Sequence, residues 1–179
     1  MPRLKSVDPV KAAGPAKDLL DAVQKKMGRV PNIFRAMAAS PAALGAYLAF
    51  SEGLAKASLG VALREQISLA VSQSGNCDYC IAAHTALGRA AGLTDEQMLA
   101  ARRGGGTDPR ATAALALARK IVQTRGDVTD ADVAHARKAG LDDAALVEVL
   151  AVTVQNLFTG YFNHMNGTES DFPPAPKLT

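Results

Sequence analysis

Apolar residues recur every three or four positions along most of the chain, which is the spacing of one face of an amphipathic helix. Leu19, Val23 and Met27 follow this spacing near the N-terminus, and Val149 and Val152 follow it near the C-terminus. No segment alternates apolar and polar residues convincingly, as a half-buried strand does. We therefore predict an all-α protein, a helical bundle of about eight helices.

The ends of the predicted helices are marked by capping residues and glycines. Ser40-Pro41 and Asp108-Pro109 each place a capping side chain before a proline at the first helical position. Gly75-Asn76 breaks the helix predicted over 61–74, so that a new helix is predicted over 77–91. The length of 179 residues suits one domain over 1–179, with a core at about 30–165 and extended termini.

Composition and charge narrow the class of protein. Apolar residues make up 48% of the chain and aromatic residues only 4%, which favours close packing between helices. The net charge is +3, but the basic residues are scattered among acidic ones, so we expect no nucleic-acid binding. The N-terminus lacks an apolar targeting segment and no uninterrupted apolar run has the length of a membrane span, so we expect a cytoplasmic protein without membrane association.

The two cysteines of the chain lie in one short segment, Cys77-Asp78-Tyr79-Cys80, and His84 follows four residues after the second. On a helix, both sulfurs and the imidazole share one face. In a reducing cytosol, two cysteines at this spacing are more often redox-active or metal-binding than structural. Their proximity also predicts a reversible intramolecular disulfide.

Glu65 and His84 stand at nearly equal distances from the predicted turn. Glu65 lies ten residues before Gly75 and His84 nine residues after it, so in an antiparallel hairpin both lie about 14 Å from the turn. We therefore expect them to meet beside the cysteines. An unperturbed thiol, with a pKa of about 8.5, is only slightly ionised at pH 7, and Glu65 with His84 supplies the base that a reactive cysteine needs.

Other interpretations of these residues remain open. The cysteine pair also suits a buried structural role or a zinc site with His84 and Glu65, although no second pair of ligands exists. Glu65 also fits a surface carboxylate and His84 a packed core histidine. Tyr161, Asn163 and His164, at the end of the last apolar helix, suit a helix cap, a subunit interface or the pocket wall, and Tyr79 suits a pocket or an interface.

The spacing of Glu65, Cys77, Cys80 and His84 resembles the signature of the AhpD-like alkylhydroperoxidases, within the carboxymuconolactone decarboxylase superfamily. The segment 156–164, followed by Thr168 and Asp171-Phe172-Pro173, is similar to the C-terminal part of peroxidase-related members. The resemblance covers roughly residues 30 to 173. It implies an all-α fold and a homo-oligomer, commonly a trimer or hexamer.

The resemblance also implies roles for the four residues. Cys80 attacks a hydroperoxide, Cys77 resolves the oxidised sulfur, and Glu65 with His84 relays protons. The field of the helix N-terminus alone favours Cys77 as the more acidic thiol, which leaves the order of the cysteines open. Tyr79 stands where well-studied AhpD enzymes carry a histidine, so this part of their relay is altered.

Three functions follow as hypotheses. The first is a thiol-dependent peroxidase or disulfide oxidoreductase that needs no cofactor and no metal, uses a hydroperoxide, and is reset by an external dithiol. The second is a decarboxylase or lactone-processing enzyme of the same superfamily, for which a cysteine pair is unnecessary. The third is a non-catalytic redox-sensing protein whose disulfide changes its shape or assembly.

Overall fold

The structure is a computed structural model that describes residues 1–178, and within them every regular element is a helix. The helices in chain order are α1 Gly14–Met27, α2 Asn32–Met37, α3 Pro41–Leu54, α4 Gly60–Ser74, α5 Asp78–Ala90, α6 Asp95–Arg103, α7 Pro109–Thr124, α8 Asp130–Lys138 and α9 Asp143–Asn166. The all-α prediction is confirmed. The described part holds nine helices, close to the predicted number of about eight.

Side-chain caps start most of the helices, including those predicted at Ser40 and Asp108. Ser40, Asp108 and Asp142 each accept a hydrogen bond from the backbone N–H three residues later. Thr94 and Thr129 begin complete capping boxes at α6 and α8. These local bonds satisfy helix N–H groups that have no partner within the helix, so the sequence itself fixes where the helices begin.

Helix α4 is the centre of the bundle, because it packs against α5, α6, α7 and α9. Ile67 and Leu69 on α4 are completely buried in the larger of two apolar clusters. The smaller cluster joins α1, α2 and the start of α3 to the first turn of α5, and it contains Cys77, Tyr79 and Cys80. The cysteines therefore lie in a packed interior rather than on an exposed loop.

The link between α4 and α5 is a tight turn. Asn76 adopts a positive φ of 50°, and the Cys77 backbone N–H donates to the carbonyl of Ser72 at 3.1 Å. The turn reverses the chain and lays α5 against α4, as the position of Gly75-Asn76 predicted. This hairpin brings Glu65 on α4 next to His84 on α5.

Helix α9 is the one helix within residues 1–178 that is long and apolar enough to cross a membrane, with a mean hydropathy of 1.3. The sequence-based expectation had required an uninterrupted apolar run, whereas a mean tolerates polar residues such as Gln155 and Asn156. The inner side of α9 packs on α4 and α7, as the core helix of a folded bundle does. The length and composition of α9 are therefore weak evidence that it spans a membrane.

Candidate active site

The two cysteines form a disulfide at the start of α5. Cys77 is the residue before the first turn of the helix, and its Sγ accepts a hydrogen bond from the Cys80 backbone N–H at 3.2 Å. The Cα atoms lie 5.2 Å apart, which is within normal bridging distance. The predicted intramolecular disulfide is thus present, and both residues are buried.

Glu65 and His84 meet across the α4–α5 hairpin. The Nδ1 of His84 lies 2.8 Å from Oε2 of Glu65, and the side chains are only 19% and 14% exposed. A carboxylate oxygen accepts hydrogen bonds, so Nδ1 donates and Nε2 is the nitrogen whose lone pair is available. His84 stands one helical turn beyond Cys80, so the three predicted residues belong to one constellation.

An apolar cavity of about 70 Å³ lies beside Cys80 and His84. Its remaining walls are mostly apolar or aromatic and come from Met27, Pro31, Ile33, Phe34, Tyr47, Tyr79, Ala83, Leu87, Thr159, Asn163 and Phe172. Cys77 takes no part in this wall. The cavity therefore distinguishes the two sulfurs: a ligand within it meets the Cys80 side of the disulfide.

Tyr47 stands at the edge of this cavity, between the rings of Phe34 and Phe158 at centroid distances of 5.8 and 5.9 Å. Burial and, second, the negative charge of Glu65 raise the pKa of Tyr47 to about 12. The hydroxyl of Tyr47 consequently stays protonated at neutral pH and shares the cavity with His84.

Tyr79 is an anchor for the C-terminal segment. Its hydroxyl donates to Oδ1 of Asp171 at 2.8 Å and accepts from the Ile33 backbone N–H at 3.4 Å. Arg29 forms an ion pair with the same carboxylate and lies over the ring of Phe172, with 4.4 Å between the guanidinium carbon and the ring centroid. Burial and then the hydrogen bond to Asp171 raise the pKa of Tyr79. Tyr79 thus lines the apolar cavity, and its hydroxyl holds the C-terminal segment through Asp171.

A polar cleft of about 290 Å³ opens on the opposite, Cys77 side of the disulfide. Its walls come from Arg3, Asn76, Cys77, Asp78, Tyr79, Asn163, His164, Gly167 and Thr168. Nε2 of His164 lies 2.9 Å from the Gly75 carbonyl and donates to it, which satisfies an acceptor at the end of α4. Tyr161 is 68% exposed and borders a smaller cavity next to Cys77. His164 is therefore both a helix cap and a cleft residue.

Asn163, for which a helix cap, an interface and the pocket wall all stayed open as roles, lies beside the disulfide. Its Nδ2 lies 3.4 Å from Sγ of Cys80 and 3.9 Å from Sγ of Cys77. The residue is 5% exposed and lines both the apolar cavity and the polar cleft. A weak signal existed: Asn156 and Asn163 stand seven residues apart, which puts two amides on one face of an otherwise apolar helix.

The part of the chain that the structure describes contains no cluster of side chains arranged to bind zinc. Within residues 1–178, no three His, Cys, Asp or Glu side chains are grouped as metal ligands. The two sulfurs are bonded to each other, and the free nitrogen of His84 belongs to a histidine already held by Glu65.

Residues 41–120 match the Carboxymuconolactone decarboxylase family, a segment that includes Glu65, both cysteines and His84. A comparison with curated protein sequences finds no significant match.

Solved structures with the same fold include an uncharacterized peroxidase-related protein with an alkylhydroperoxidase AhpD core from Ralstonia eutropha JMP134. It is 24% identical, with a TM-score of 0.86 over 95% of this chain and 92% of that one. A peroxidase-related protein from Silicibacter sp. TM1040 is 23% identical, with a TM-score of 0.81 over 100% of both chains. The debrominase Bmp8, in complex with 2,3,4-tribromopyrrole, is 14% identical, with a TM-score of 0.78 over 94% and 91%.

These structural similarities establish the architecture, and the family match covers the cysteine segment that the sequence analysis singled out. Residues 41–120 thus match the carboxymuconolactone decarboxylase family, and the chain has the AhpD-like fold.

Proposed function

We propose that this protein is a thiol-dependent peroxidase that reduces organic hydroperoxides through the Cys77–Cys80 pair. The observation that carries the proposal is the Glu65–His84 hydrogen bond beside Cys80, at the edge of an apolar cavity. A carboxylate, an imidazole and a thiol in this order form the arrangement that activates cysteine nucleophiles. The superfamily also contains decarboxylases, but a redox-active cysteine pair serves no purpose in that chemistry.

The structure supports Cys80 as the attacking residue. Cys80 lines the cavity that His84 also lines, whereas Cys77 lines the cleft on the other side. The N-terminal position of Cys77 stabilises a thiolate there too, but Asp78 and His164 in that cleft form no carboxylate–imidazole pair like Glu65–His84, and Nε2 of His164 is bound to the Gly75 carbonyl. Proximity to His84 therefore favours Cys80.

The proposed reaction begins with the reduced pair. Nε2 of His84 takes the proton of Cys80, and Glu65 stabilises the resulting imidazolium through Nδ1. The thiolate attacks the terminal oxygen of the hydroperoxide, the O–O bond breaks, and the alkoxide leaves with the proton from His84 as an alcohol. Cys80 is now a sulfenic acid.

Cys77 completes the turnover. Its thiolate attacks the sulfur of the sulfenic acid, hydroxide leaves and becomes water with the proton that the Cys77 thiol released, and the Cys77–Cys80 disulfide forms. An external dithiol supplies the two electrons that restore both thiols. The apolar walls of the Cys80 cavity favour a hydroperoxide that carries a hydrocarbon group over hydrogen peroxide.

The test is a thiol titration of the reduced protein before and after one equivalent of cumene hydroperoxide. We expect two thiols before the addition, none after it, and one intramolecular disulfide by mass spectrometry. With excess dithiothreitol, the wild type turns over continuously. Two alkylatable thiols after peroxide, or only intermolecular links, exclude the proposal. A disulfide that forms and is reduced without continuous peroxide consumption indicates the redox-sensing alternative.

Two single variants separate the roles of the cysteines. Cys80→Ser abolishes peroxide reduction, whereas Cys77→Ser performs one turnover and retains a sulfenic acid on Cys80 that dimedone traps. A sulfenic acid on Cys77 in Cys80→Ser keeps the function and reverses the two roles.

We further propose that the protein acts in the cytoplasm, where dithiol reductants are maintained, without nucleic acid or membrane partners.

A further inference from the structure

We propose that Asn163 is a further catalytic residue, whose side-chain amide stabilises the thiolate of Cys80 and thereby directs the external reductant to Cys77, from the polar cleft. This inference rests on the proposed function for the cycle of oxidation and reduction at this pair. It adds Asn163 to Glu65 and His84 as a group that acts on the sulfurs. It also assigns the hydroperoxide to the apolar cavity beside Cys80 and the reductant to the polar cleft beside Cys77.

The amide nitrogen of Asn163 is aimed at the reacting atoms. Nδ2 lies 3.4 Å from Sγ of Cys80 and 3.9 Å from Sγ of Cys77, so Cys80 is the nearer acceptor. A disulfide sulfur is a weak acceptor, whereas a thiolate is a charged one, and hydrogen bonds to charged acceptors are roughly twice as strong. The amide therefore favours the ionised form of Cys80 over both the thiol and the disulfide.

The amide oxygen of Asn163 supplies a second, independent observation. Oδ1 is buried, and no donor within residues 1–178 forms a hydrogen bond with it. Buried polar atoms are nearly always paired, and an unpaired one is unfavourable. A disulfide carries no S–H, but the reduced pair offers the S–H of Cys77, and a bound hydroperoxide offers its O–H. The amide thus matches the reduced, substrate-bound site better than the oxidised one.

The preference of the amide for Cys80 decides which sulfur the reductant attacks. The thiolate of the reductant bonds to Sγ of Cys77, the Cys77–Cys80 bond breaks, and its electron pair leaves on Sγ of Cys80, next to Nδ2 of Asn163. In thiol–disulfide exchange the more acidic thiol is the better leaving group. Attack on Cys77 therefore proceeds faster than attack on Cys80.

The second thiol of the reductant finishes the exchange. It attacks the reductant sulfur in the mixed disulfide, and Cys77 leaves as a thiolate and takes up a proton. The dithiol is oxidised to a disulfide, and the protein pair gains two electrons.

The shapes of the two openings agree with this direction of attack. The cleft beside Cys77 is the larger, at about 290 Å³, and Arg3, Asp78 and His164 make it polar. The cavity beside Cys80 is about 70 Å³ and mostly apolar. Asn163 lines both and stands between them. A polar thiol therefore fits the Cys77 side, and an alkyl hydroperoxide fits the Cys80 side.

Two experiments test the inference, and neither uses peroxide. In the first, reduced protein is alkylated with iodoacetamide from pH 5 to 10, and mass spectrometry follows each cysteine. Asn163→Leu removes the amide and keeps its approximate volume, so the fraction of Cys80 thiolate at pH 7 falls about tenfold. The alkylation rate falls only about threefold, because a more basic thiolate is also more nucleophilic. Asn163→Ala gives the same shift if the amide is the cause.

The matched control is Asn156→Leu, on the same helix and equally buried, whose Nδ2 donates to Ser68 and the Val152 carbonyl instead of sulfur. It is expected to lower stability without moving the pH profile of Cys80. An unchanged Cys80 profile in folded Asn163→Leu or Asn163→Ala, or an equal shift in Asn156→Leu, overturns the inference.

The second experiment uses the wild-type protein and so does not depend on the folding of a variant. Oxidised protein is mixed with 2-mercaptoethanol, quenched with acid within milliseconds to seconds, and digested. The mixed disulfide is expected on Cys77, and an adduct mainly on Cys80 overturns the inference. If both experiments succeed while the protein consumes no peroxide, the proposed function fails and the roles of Asn163 and Cys77 stand. If peroxide is consumed but the adduct is on Cys80, the proposed function stands and the roles inferred for Asn163 and Cys77 fail.

Discussion

Nδ1 of His84 lies 2.8 Å from Oε2 of Glu65, although the two residues are nineteen positions apart and on different helices. In the proposed reaction, this contact gives Glu65 the role of orienting the imidazole and stabilising its positive charge once His84 has taken the proton of Cys80. The hydrogen bond fixes the tautomer with the proton on Nδ1 and leaves Nε2 to accept the proton of Cys80.

Glu65→Gln tests this role. The glutamine keeps the shape and still accepts a hydrogen bond from Nδ1, but it does not stabilise an imidazolium by charge. We expect a folded protein whose peroxide reduction, measured by stopped flow on the reduced form, slows at least about tenfold at pH 7. Higher pH restores part of the loss, because the Cys80 thiol then ionises without the base.

The matched control is Glu52→Gln, the same chemical change at an exposed position of α3. It is expected to leave the rate unchanged within twofold. An identical pH–rate profile in Glu65→Gln and wild type contradicts the role of Glu65 and means that His84 acts without the help of its charge.

The contact between Glu65 and His84 was predictable because it is local. A helix rises by a constant 1.5 Å per residue, so positions ten and nine residues from Gly75 fall side by side once the chain reverses. The three-residue spacing of Cys77 and Cys80 likewise predicted that both lie at the start of α5. Caps and glycines gave most helix ends for the same reason: their signals lie within a few residues of the structure they form.

Asn163 and Asp171 were not predictable in this way. Asn163 is 83 residues from Cys80, and Asp171 is 92 residues from Tyr79. Periodicity shows which face of α9 is buried, but it does not show which helix end that face covers. The role of Tyr79 was missed for the same reason, since its partner lies in an irregular segment that carries no periodic signal. Tertiary packing alone places these groups.

The bond between Tyr79 and Asp171 predicts an energetic coupling between α5 and the C-terminal segment. Tyr79→Phe removes the hydroxyl that donates to the Asp171 carboxylate, and Asp171→Asn weakens that same bond by removing the charge of the acceptor. In a double-mutant cycle by urea unfolding, we expect a coupling of about 1–2 kcal/mol. Asp18→Asn, the same chemical change at an exposed position of α1, serves as the control and is expected to change the free energy of unfolding by less than about 0.5 kcal/mol. Additive effects of the two substitutions at Tyr79 and Asp171 contradict the coupling.

The outer face of α9 predicts a homo-oligomer. Exposed apolar side chains follow one another at three- and four-residue spacing along the helix: Val147, Leu150, Val154, Phe158, Tyr161 and Met165. Such a stripe is unfavourable in water, and its spacing suits packing against the same stripe of a second copy. We propose that a second copy of this chain covers it, as the resemblance to oligomeric proteins implies.

Leu150→Glu tests the stripe as the interface. Light scattering at micromolar concentration is expected to give an oligomer, a trimer or hexamer, for the wild type and a smaller species for the variant, because a buried charge without a partner opposes association. Val10→Glu, at an 89% exposed position in the N-terminal segment, is the control and keeps the wild-type mass. A monomeric wild type contradicts the prediction and leaves the α4–α5 hairpin unaffected.

Glu148 predicts a pH-dependent part of the stability. Its carboxylate, on α9, accepts hydrogen bonds from the backbone N–H and hydroxyl of Ser58 and from the backbone N–H of Leu59, just before α4. Burial opposes the charge, but the hydrogen bonds from Ser58 and Leu59 outweigh it and hold the pKa of Glu148 below its ordinary value of 4.5. A lowered folded-state pKa stabilises the fold above about pH 4.5, and this contribution is lost as the pH falls through the folded-state value.

Glu148→Gln is therefore expected to lower the free energy of unfolding by about 1 kcal/mol at pH 7. At pH 3, urea unfolding should show a smaller difference between variant and wild type, because the wild-type carboxyl is largely protonated there as well. Glu52→Gln again provides the comparison and should leave stability nearly unchanged at both pH values. A difference for Glu148→Gln that is the same at pH 7 and pH 3 shows that the loss comes from packing rather than from the charge.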